Sequence, residues 1–333
     1  MRQMPPLSQP GGPAAGRGYV LALFSGAMWG AGAVLLGAAL KHQPLVAVDS
    51  LVLAPLVAAA VHDCFAMVWV TAVNIGTGHL RSTVMAWRTQ SGLIISVAAL
   101  LGGPLAMSAY VLAIAFAGAP YAVAVASVFP ALGALLGHLV LGDRLSRVGW
   151  LGVCMAVGGA ALASYEPASP ASSYYALGLL CAFLAALGWA AEGVLASHCL
   201  NRLPSTVALN IRETVSALIF VVIVLPLFGA TGLAHATVTS SAVWILAAAS
   251  LLGAGSYLFF YRSLHLLGPA RAMPANSTSV LWTICIVLLI TREPPGWRLI
   301  VGSVVLVLGI LLVAKDKPAG EAVVPEAFRG GCQ

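Results

Sequence analysis

The chain has 333 residues, of which 60% are hydrophobic and 8% are charged, and its formal net charge is +6. Soluble domains carry about 25% charged residues, so this chain has too few charged side chains to cover a soluble globule. The composition excludes a soluble enzyme, a nucleic-acid-binding protein and a disordered chain, and it indicates a membrane protein with several spans.

Ten apolar segments follow one another, each long enough to cross a bilayer as a helix. The first five are Tyr19–Leu40, Val48–Asn74, Ser91–Ala117, Ala119–Leu141 and Val148–Tyr165. The second five are Ala176–Leu200, Ser205–Phe228, Ala242–Leu266, Ala270–Thr291 and Arg298–Ala314. Backbone groups in lipid must be satisfied within the protein. The predicted fold class is therefore all-α integral membrane, with ten transmembrane helices.

Polar stretches divide the chain into two halves. A linker rich in Pro and Ser, 166–175, lies near the middle. It separates a predicted first five-helix repeat, 19–165, from a second, 176–314. The Pro- and Gly-rich segment 1–18 and the polar tail 315–333 are predicted to be cytoplasmic.

The distribution of Lys and Arg predicts the orientation. Eleven lie on one side of the predicted helices: Arg2, Arg17, Arg81, Arg88, Arg144, Arg147, Arg202, Arg271, Lys315, Lys317 and Arg329. Three lie on the other side: Lys41, Arg292 and Arg298. Both termini are therefore expected in the cytoplasm, with the chain in the plasma (inner) membrane. Arg212 lies inside an apolar segment and is expected to extend toward the cytoplasmic face.

The two halves are weakly similar to each other. A shift of 150 positions aligns Ser127 with Ser277, Asp143 with Glu293, Gly118 with Gly268, Gly152 with Gly302, and Gly159 with Gly309. Because five is an odd number, the second half must enter the membrane from the opposite side. An inverted repeat of this kind is typical of secondary transporters that work by alternating access.

Several motifs in the first half carry a family resemblance. They are the hairpin at Gly118, the run Ser127-Val128-Phe129-Pro130, the turn Leu141-Gly142-Asp143-Arg144-Leu145-Ser146, and the glycines Gly149, Gly152, Gly158 and Gly159. The second half repeats the layout with Gly268, Ser277 and Glu293. With these motifs the chain resembles the EamA-type branch of the drug/metabolite transporter superfamily. The resemblance implies a ten-helix carrier of amino acids, other metabolites or toxic compounds.

Ionisable residues deep in apolar segments are functional candidates. Glu192 lies well inside its segment, and Trp189 lies three residues earlier on the same helical face. A carboxylate beside an aromatic ring suits a cation, so Glu192 is predicted to bind a substrate ammonium, a proton, or both. Asp63, next to His62, and Glu213, next to Arg212, are further proton-coupling candidates. The structural alternative for each is a carboxyl group paired between helices.

Aromatic and polar side chains complete the predicted substrate site. The candidates are Trp29, Tyr110, Trp189, Glu192, Tyr257, Asn276 and Ser277. Trp29 and Trp189 are related by a shift of 160 positions and lie away from the interfaces where Trp usually concentrates. Glycine-interrupted runs at 102–104 and 252–256 indicate a binding site at mid-membrane. Tight packing is the alternative for both runs.

The leading hypothesis is a secondary active transporter, not an enzyme. It moves a small polar or amphiphilic metabolite, with export of an amino acid or amine as the specific prediction and protons as one coupling option. The alternatives are uptake of quaternary amines, efflux of cationic drugs, and, in another class, a lipid scramblase or an intramembrane enzyme using His62 or Asp63 with Glu192. The expected partners are a small-molecule substrate and the bilayer, without nucleic acid, and the protein is expected to be a monomer or homodimer. No cofactor and no metal site is expected.

Overall fold

A computed structural model describes residues 13–48, 50–141, 146–163, 174–200, 202–267 and 269–315, and within these ranges the chain forms helices and no strand. The first half contains α1 (Pro13–Ala39), α2 (Leu53–Gly76), α3 (Leu80–Ala86), α4 (Gln90–Ala117), α5 (Ala119–Ala126), α6 (Phe129–Leu141) and α7 (Arg147–Ala163). The second half contains α8 (Tyr175–Cys199), α9 (Ser205–Leu227), α10 (Thr231–Val238), α11 (Ala242–Leu267), α12 (Pro269–Asn276), α13 (Ser279–Thr291) and α14 (Trp297–Lys315). Most of the linker 166–175, most of the two predicted terminal segments, Asp143 and Gly268 lie outside the described residues.

The helices match the predicted apolar segments to within a few residues at most ends. Seven candidate spans in the described chain are long and apolar enough to cross a membrane, and α7, α13 and most of α14 form shorter apolar helices. The second span begins at Leu53 rather than Val48. Pro55 lies in its first turn, where a missing N–H removes no helical hydrogen bond. The short helices α3 and α10 lie in corresponding connections of the two halves and were not predicted.

Two predicted spans are each divided into two helices at equivalent places. The turn at Ser127 and Val128 separates α5 from α6, and the turn at Ser277 and Thr278 separates α12 from α13. Pro130 explains the first turn, because it cannot donate a backbone hydrogen bond to Ala126. At the second turn, the hydroxyls of Ser277 and Thr278 donate to backbone carbonyls, which competes with regular helix formation.

The predicted glycine interruptions have different outcomes. Leu101–Leu105 forms a π-helical turn that contains Pro104, so α4 is irregular where the sequence indicated. The run 252–256 lies in a continuous helix, α11, so its glycines do not break the helix. Without a proline, these small residues remain helical and allow close packing. His62 packs against Gly253 and Met28 against Gly255. A second π-turn, Phe220–Val224, lies in α9 and was not predicted.

Helices of the two halves pack against each other in pairs. α1 packs along α11, α4 along α8, α2 along α9, and α7 along α14. The α7–α14 contact is made by four glycines at repeat-related positions: Gly152 lies against Gly309, and Gly159 against Gly302. The two backbones touch directly there, since a side-chain carbon on any of the four would collide with the facing helix.

The α7–α14 contact predicts different effects of alanine at two adjacent glycines. An alanine Cβ at position 159 would lie 2.7 Å from the Gly302 carbonyl oxygen, whereas at position 158 nothing lies within 4 Å. We expect Gly159→Ala to destabilise the protein by about 1–3 kcal/mol through overpacking, and Gly158→Ala to be neutral or slightly stabilising. Thermal unfolding of the purified protein in detergent measures both. Equal midpoints for the two variants would contradict this packing.

Candidate functional site

A cavity lies among α1, α8, α11 and the turns that divide α5 from α6 and α12 from α13. It encloses about 570 Å³, counting the open space at its mouth. Six lining residues are aromatic: Trp29, Phe129, Trp189, Tyr257, Phe260 and Tyr261. Five are polar: Ser127, Glu192, Ser256, Asn276 and Ser279. Both divided spans thus place their irregular turns on the wall of one pocket.

The aromatic wall is built around Trp29. Its ring lies edge to face with Trp189 at a centroid distance of 5.1 Å and with Tyr257 at 5.8 Å. Tyr110 stacks on Trp29 at 5.3 Å and is fully buried. The indole N–H of Trp189 donates to the Gly102 carbonyl oxygen at 3.0 Å. These contacts hold the rings in fixed orientations around the cavity.

Hydroxyl and amide groups link the helices at the polar edge of the cavity. The hydroxyl oxygens of Ser127 and Ser279 lie 3.3 Å apart, joining the two repeat-related turns. Asn276 donates to the Ser25 hydroxyl at 2.7 Å, and Ser25 in turn donates to the Ser256 carbonyl oxygen at 2.8 Å. This edge is held by neutral hydrogen bonds between α1, α11 and the divided spans.

Glu192 connects the cavity to a buried cluster of charged residues centred on Arg212. The Arg212 Nε donates to Glu192 Oε1 at 3.1 Å, and Nη1 donates to Glu213 Oε2 at 2.9 Å. Nη1 also lies 3.9 Å from Asp63 Oδ2. Arg212 is 2% exposed, and the three carboxylate residues are equally well buried. Residues from α2, α8 and α9 therefore meet in one interior site, which we call the Arg212 cluster.

Tyrosines from α11 and one backbone carbonyl complete the contacts of the Arg212 cluster. Arg212 Nη2 donates to the Gly102 carbonyl oxygen at 2.8 Å and to the Tyr257 hydroxyl at 3.2 Å. The guanidinium carbon lies 4.6 Å from the centroid of the Tyr257 ring, a cation–π distance. Tyr261 donates its hydroxyl to Glu192 Oε1 at 3.2 Å. The same tyrosines line the cavity, so the cluster and the cavity share a wall.

Asp63 has its own set of hydrogen bonds on the far side of Arg212. Ser216 donates to Asp63 Oδ2, and the imidazole Nδ1 of His62 lies 2.9 Å from Asp63 Oδ1. The Ser250 hydroxyl donates to the His62 carbonyl oxygen at 2.7 Å. Among the described residues, one guanidinium thus faces three carboxyl groups, with His62, Tyr257 and Tyr261 as further titratable groups.

The π-turn of α4 explains how Gly102 fits into this site. A side-chain carbon at Gly102 would collide with the Glu192 carboxylate. The Gly102 carbonyl accepts from both Trp189 and Arg212, because the π-turn departs from the regular helical hydrogen-bond pattern there. Only glycine leaves room for Glu192 against this backbone.

This contact predicts that Gly102→Ala displaces the Glu192 carboxylate and destabilises the protein by about 1–3 kcal/mol through overpacking. Gly255→Ala is the control on α11, because a Cβ there meets only the flexible end of Met28. Thermal unfolding of the purified protein in detergent measures both variants. An unchanged unfolding midpoint in Gly102→Ala would contradict the prediction.

The predicted site residues fall into three groups. Trp29, Trp189, Glu192, Tyr257 and Asn276 lie on the cavity wall. Tyr110 lies behind Trp29, and the Ser277 hydroxyl donates to the Met273 carbonyl. Asp63 and Glu213 join Glu192 in the Arg212 cluster. Their roles in binding and proton coupling stay predictions.

Two of these placements bear on the enzyme alternative. Glu192 lines the cavity, whereas the cavity wall does not include His62 or Asp63 within the described part of the chain. The carboxylates of Asp63 and Glu192 face different nitrogens of Arg212. A molecule in the cavity would therefore contact Glu192 without contacting the other two side chains.

The expectation that Arg212 extends toward the cytoplasmic face is wrong. Its guanidinium is buried because three carboxylates compensate the charge, so it gains nothing by reaching the interface. Phe129, Phe260 and Tyr261 on the cavity wall were also missed. The presence of three deep acidic residues is a sequence signal that could have identified Arg212, since buried carboxylates require a buried partner.

Comparison with known proteins identifies the relatives of this chain. The model of the EamA-like transporter family matches twice, over residues 16–165 and 176–315. Protein LicB of Haemophilus influenzae is 27% identical over 223 residues, which cover 66% of this chain and 72% of LicB. A crystal structure of a protein that is 17% identical matches 89% of this chain and 95% of its own length, with a TM-score of 0.57. The chain belongs to the EamA-like transporter family, within the drug/metabolite transporter superfamily, and is an integral membrane protein.

Proposed function

We propose that the protein is a secondary carrier of a small organic cation, either a protonated amine or a quaternary ammonium compound. One observation carries this proposal: the acidic residue Glu192 lies on the wall of a cavity that is otherwise largely aromatic. A cation is attracted to the faces of Trp and Tyr rings by about 0.5–2 kcal/mol each. Trp29, Trp189 and Tyr257 supply three such rings around one space.

The charge balance of the Arg212 cluster favours a cation over an anion. The Arg212 cluster holds three carboxyl groups and one guanidinium, so the carboxyl groups outnumber the permanent cation. Unpaired charge inside a membrane protein is costly, and a positive substrate at Glu192 reduces it. Protons are the second cation that the cluster could take up, which keeps proton coupling as part of the proposal.

The hydrogen bonds of Arg212 argue against a substrate carboxylate at this site. Arg carries five N–H donors, and four of those of Arg212 already reach Glu192, Glu213, the Gly102 carbonyl and the Tyr257 hydroxyl. An amino acid would need a partner for its carboxylate as well as for its amine. Of the substrates considered from the sequence, we therefore favour quaternary amines and other organic cations over amino acids.

Alternating access between two inverted five-helix halves is the mechanism we propose. Ten apolar segments, each a single helix or a divided span, support ten membrane crossings. The count of eleven Lys and Arg residues on one side against three on the other supports a cytoplasmic location of both termini. The helix pairs are also consistent with a two-fold relation between the halves. Exchanging the halves converts the α1–α11 pair into the α8–α4 pair, and it leaves the α2–α9 and α7–α14 pairs unchanged. The plasma (inner) membrane remains the proposed location.

The proposal is tested with the full chain in proteoliposomes. We expect tetramethylammonium and methylammonium to bind by calorimetry, and labelled tetramethylammonium to enter faster than into protein-free vesicles. Alanine, which carries a carboxylate, is expected to bind more weakly, and acetate not to bind. The proposal fails if alanine binds and both ammonium ions do not. Repeating the flux with an imposed pH gradient tests the proton component.

A further inference from the structure

Arg212 contacts two of the residues that line the cavity. Its Nε donates to Glu192 Oε1, and its guanidinium packs over the Tyr257 ring. A carboxylate contact together with an aromatic face is the environment that recognises an ammonium group. Arg212 therefore already uses the two groups that the proposed function assigns to the substrate cation.

Besides Glu192 and Glu213, Asp63 offers a third carboxylate to the same guanidinium. Arg212 Nη1 lies 3.9 Å from Asp63 Oδ2, beyond hydrogen-bond distance, while it donates to Glu213 at 2.9 Å. His62 and Ser216 already hold Asp63 in place. A shift of about 1 Å would bring Nη1 within hydrogen-bond distance of Asp63.

We propose that Arg212 is a tethered counter-cation, which neutralises Glu192 in the empty carrier and moves toward Asp63 when a substrate ammonium takes Glu192. Substrate and guanidinium then compete for one carboxylate, so Glu192 has a positive partner whether the carrier is empty or loaded. The inference rests on the proposed function, because it requires a cationic substrate. Its consequence is that the empty carrier can return across the membrane without a co-transported ion at Glu192.

Binding measurements separate competition from simple electrostatics. Arg212→Gln removes the competitor but also adds one negative charge to the cluster. The double variant Arg212→Gln/Glu213→Gln removes the competitor and keeps the formal charge. We expect both to bind tetramethylammonium about tenfold more tightly than the wild type, within the range typical of coupled sites. Arg262→Gln, which removes an exposed arginine on α11, is the control and should bind like the wild type.

Flux measurements test the return step. In proteoliposomes, the charge-balanced double variant should keep tetramethylammonium exchange between the two sides but lose most of the net flux, because its empty form lacks the tethered cation. A purely structural Arg212 would lower exchange and net flux together. That result, or a double variant that binds no tighter than the wild type, overturns the inference while leaving the proposed function intact. Absence of ammonium binding in every variant overturns both.

A structure of the wild type with tetramethylammonium bound does not depend on the folding of any variant. We expect the Arg212 Nη1–Asp63 Oδ2 distance to shorten to about 3 Å and the Nε–Glu192 contact to open. Tetramethylammonium beside Glu192 with the Arg212–Glu192 contact unchanged would refute the competition. Tetramethylammonium bound away from Glu192 would refute the proposed binding site as well.

Discussion

Glu192→Gln is expected to lower tetramethylammonium affinity roughly a hundredfold, the loss typical of removing one member of a buried charge pair. Glutamine keeps the size of the side chain and can still accept from Tyr261, so the fold should persist. What disappears is the negative charge on the cavity wall. Calorimetric titration gives the affinity, and flux into proteoliposomes at several pH values gives the transport rate.

Glu293→Gln serves as the matched control for this loss of charge. Glu293 is exposed and follows the end of α13, outside the cavity and outside the Arg212 cluster. We expect its binding and flux to equal those of the wild type. If Glu192→Gln transports with unchanged affinity and unchanged pH dependence, Glu192 is neither the cation site nor a proton site.

Trp189→Ala should lower tetramethylammonium affinity nearly as much as Glu192→Gln. It removes a ring from the cavity wall, the edge-to-face contact with Trp29 and the hydrogen bond to the Gly102 carbonyl. A desolvated cation–π contact contributes about 2 kcal/mol, so tetramethylammonium affinity is expected to fall roughly thirtyfold. Trp189→Phe keeps an aromatic face and loses only the N–H donor, and it should retain most of the affinity.

Trp244→Ala provides the aromatic control for Trp189. Trp244 is 76% exposed, lies in the first turn of α11 and does not line the cavity described above. We expect it to leave affinity unchanged. The ranking Trp244→Ala, Trp189→Phe, Trp189→Ala, from weakest to strongest effect, is measured in one calorimetric series. Equal losses for phenylalanine and alanine at position 189 would assign the effect to the N–H donor instead of the ring.

The helices were predictable because each apolar run in the sequence is nearly as long as the helix it forms. The turn at Ser127 was missed although Pro130 signals it, since the uninterrupted apolar character of 119–141 outweighed one proline. The turn at Ser277 has no proline and depends on hydroxyl groups that also occur inside regular helices. Local sequence therefore predicted where the spans lie but not the turns that divide two of them.

The candidate site was predictable residue by residue but not as an arrangement. Glu192 and Trp189 were found because a carboxylate and an indole deep in an apolar run are uncommon. The contacts that unite the site join residues far apart in sequence, such as Asp63 with Ser216 and Tyr257 with Trp29. These pairs form only when helices of the two halves pack together. No local pattern reveals that Arg212 is their common partner.

The eight-residue helices α5 and α12 each lead into one of the two turns that line the cavity. At 1.5 Å per residue, each is about 12 Å long, less than half the hydrocarbon thickness. With the halves inverted as proposed, one of these two short helices begins at each face of the bilayer. On that proposed topology, we expect either side to open by displacement of little more than two helical turns, while the longer helices that carry Trp29, Glu192 and Tyr257 keep the cavity wall in place.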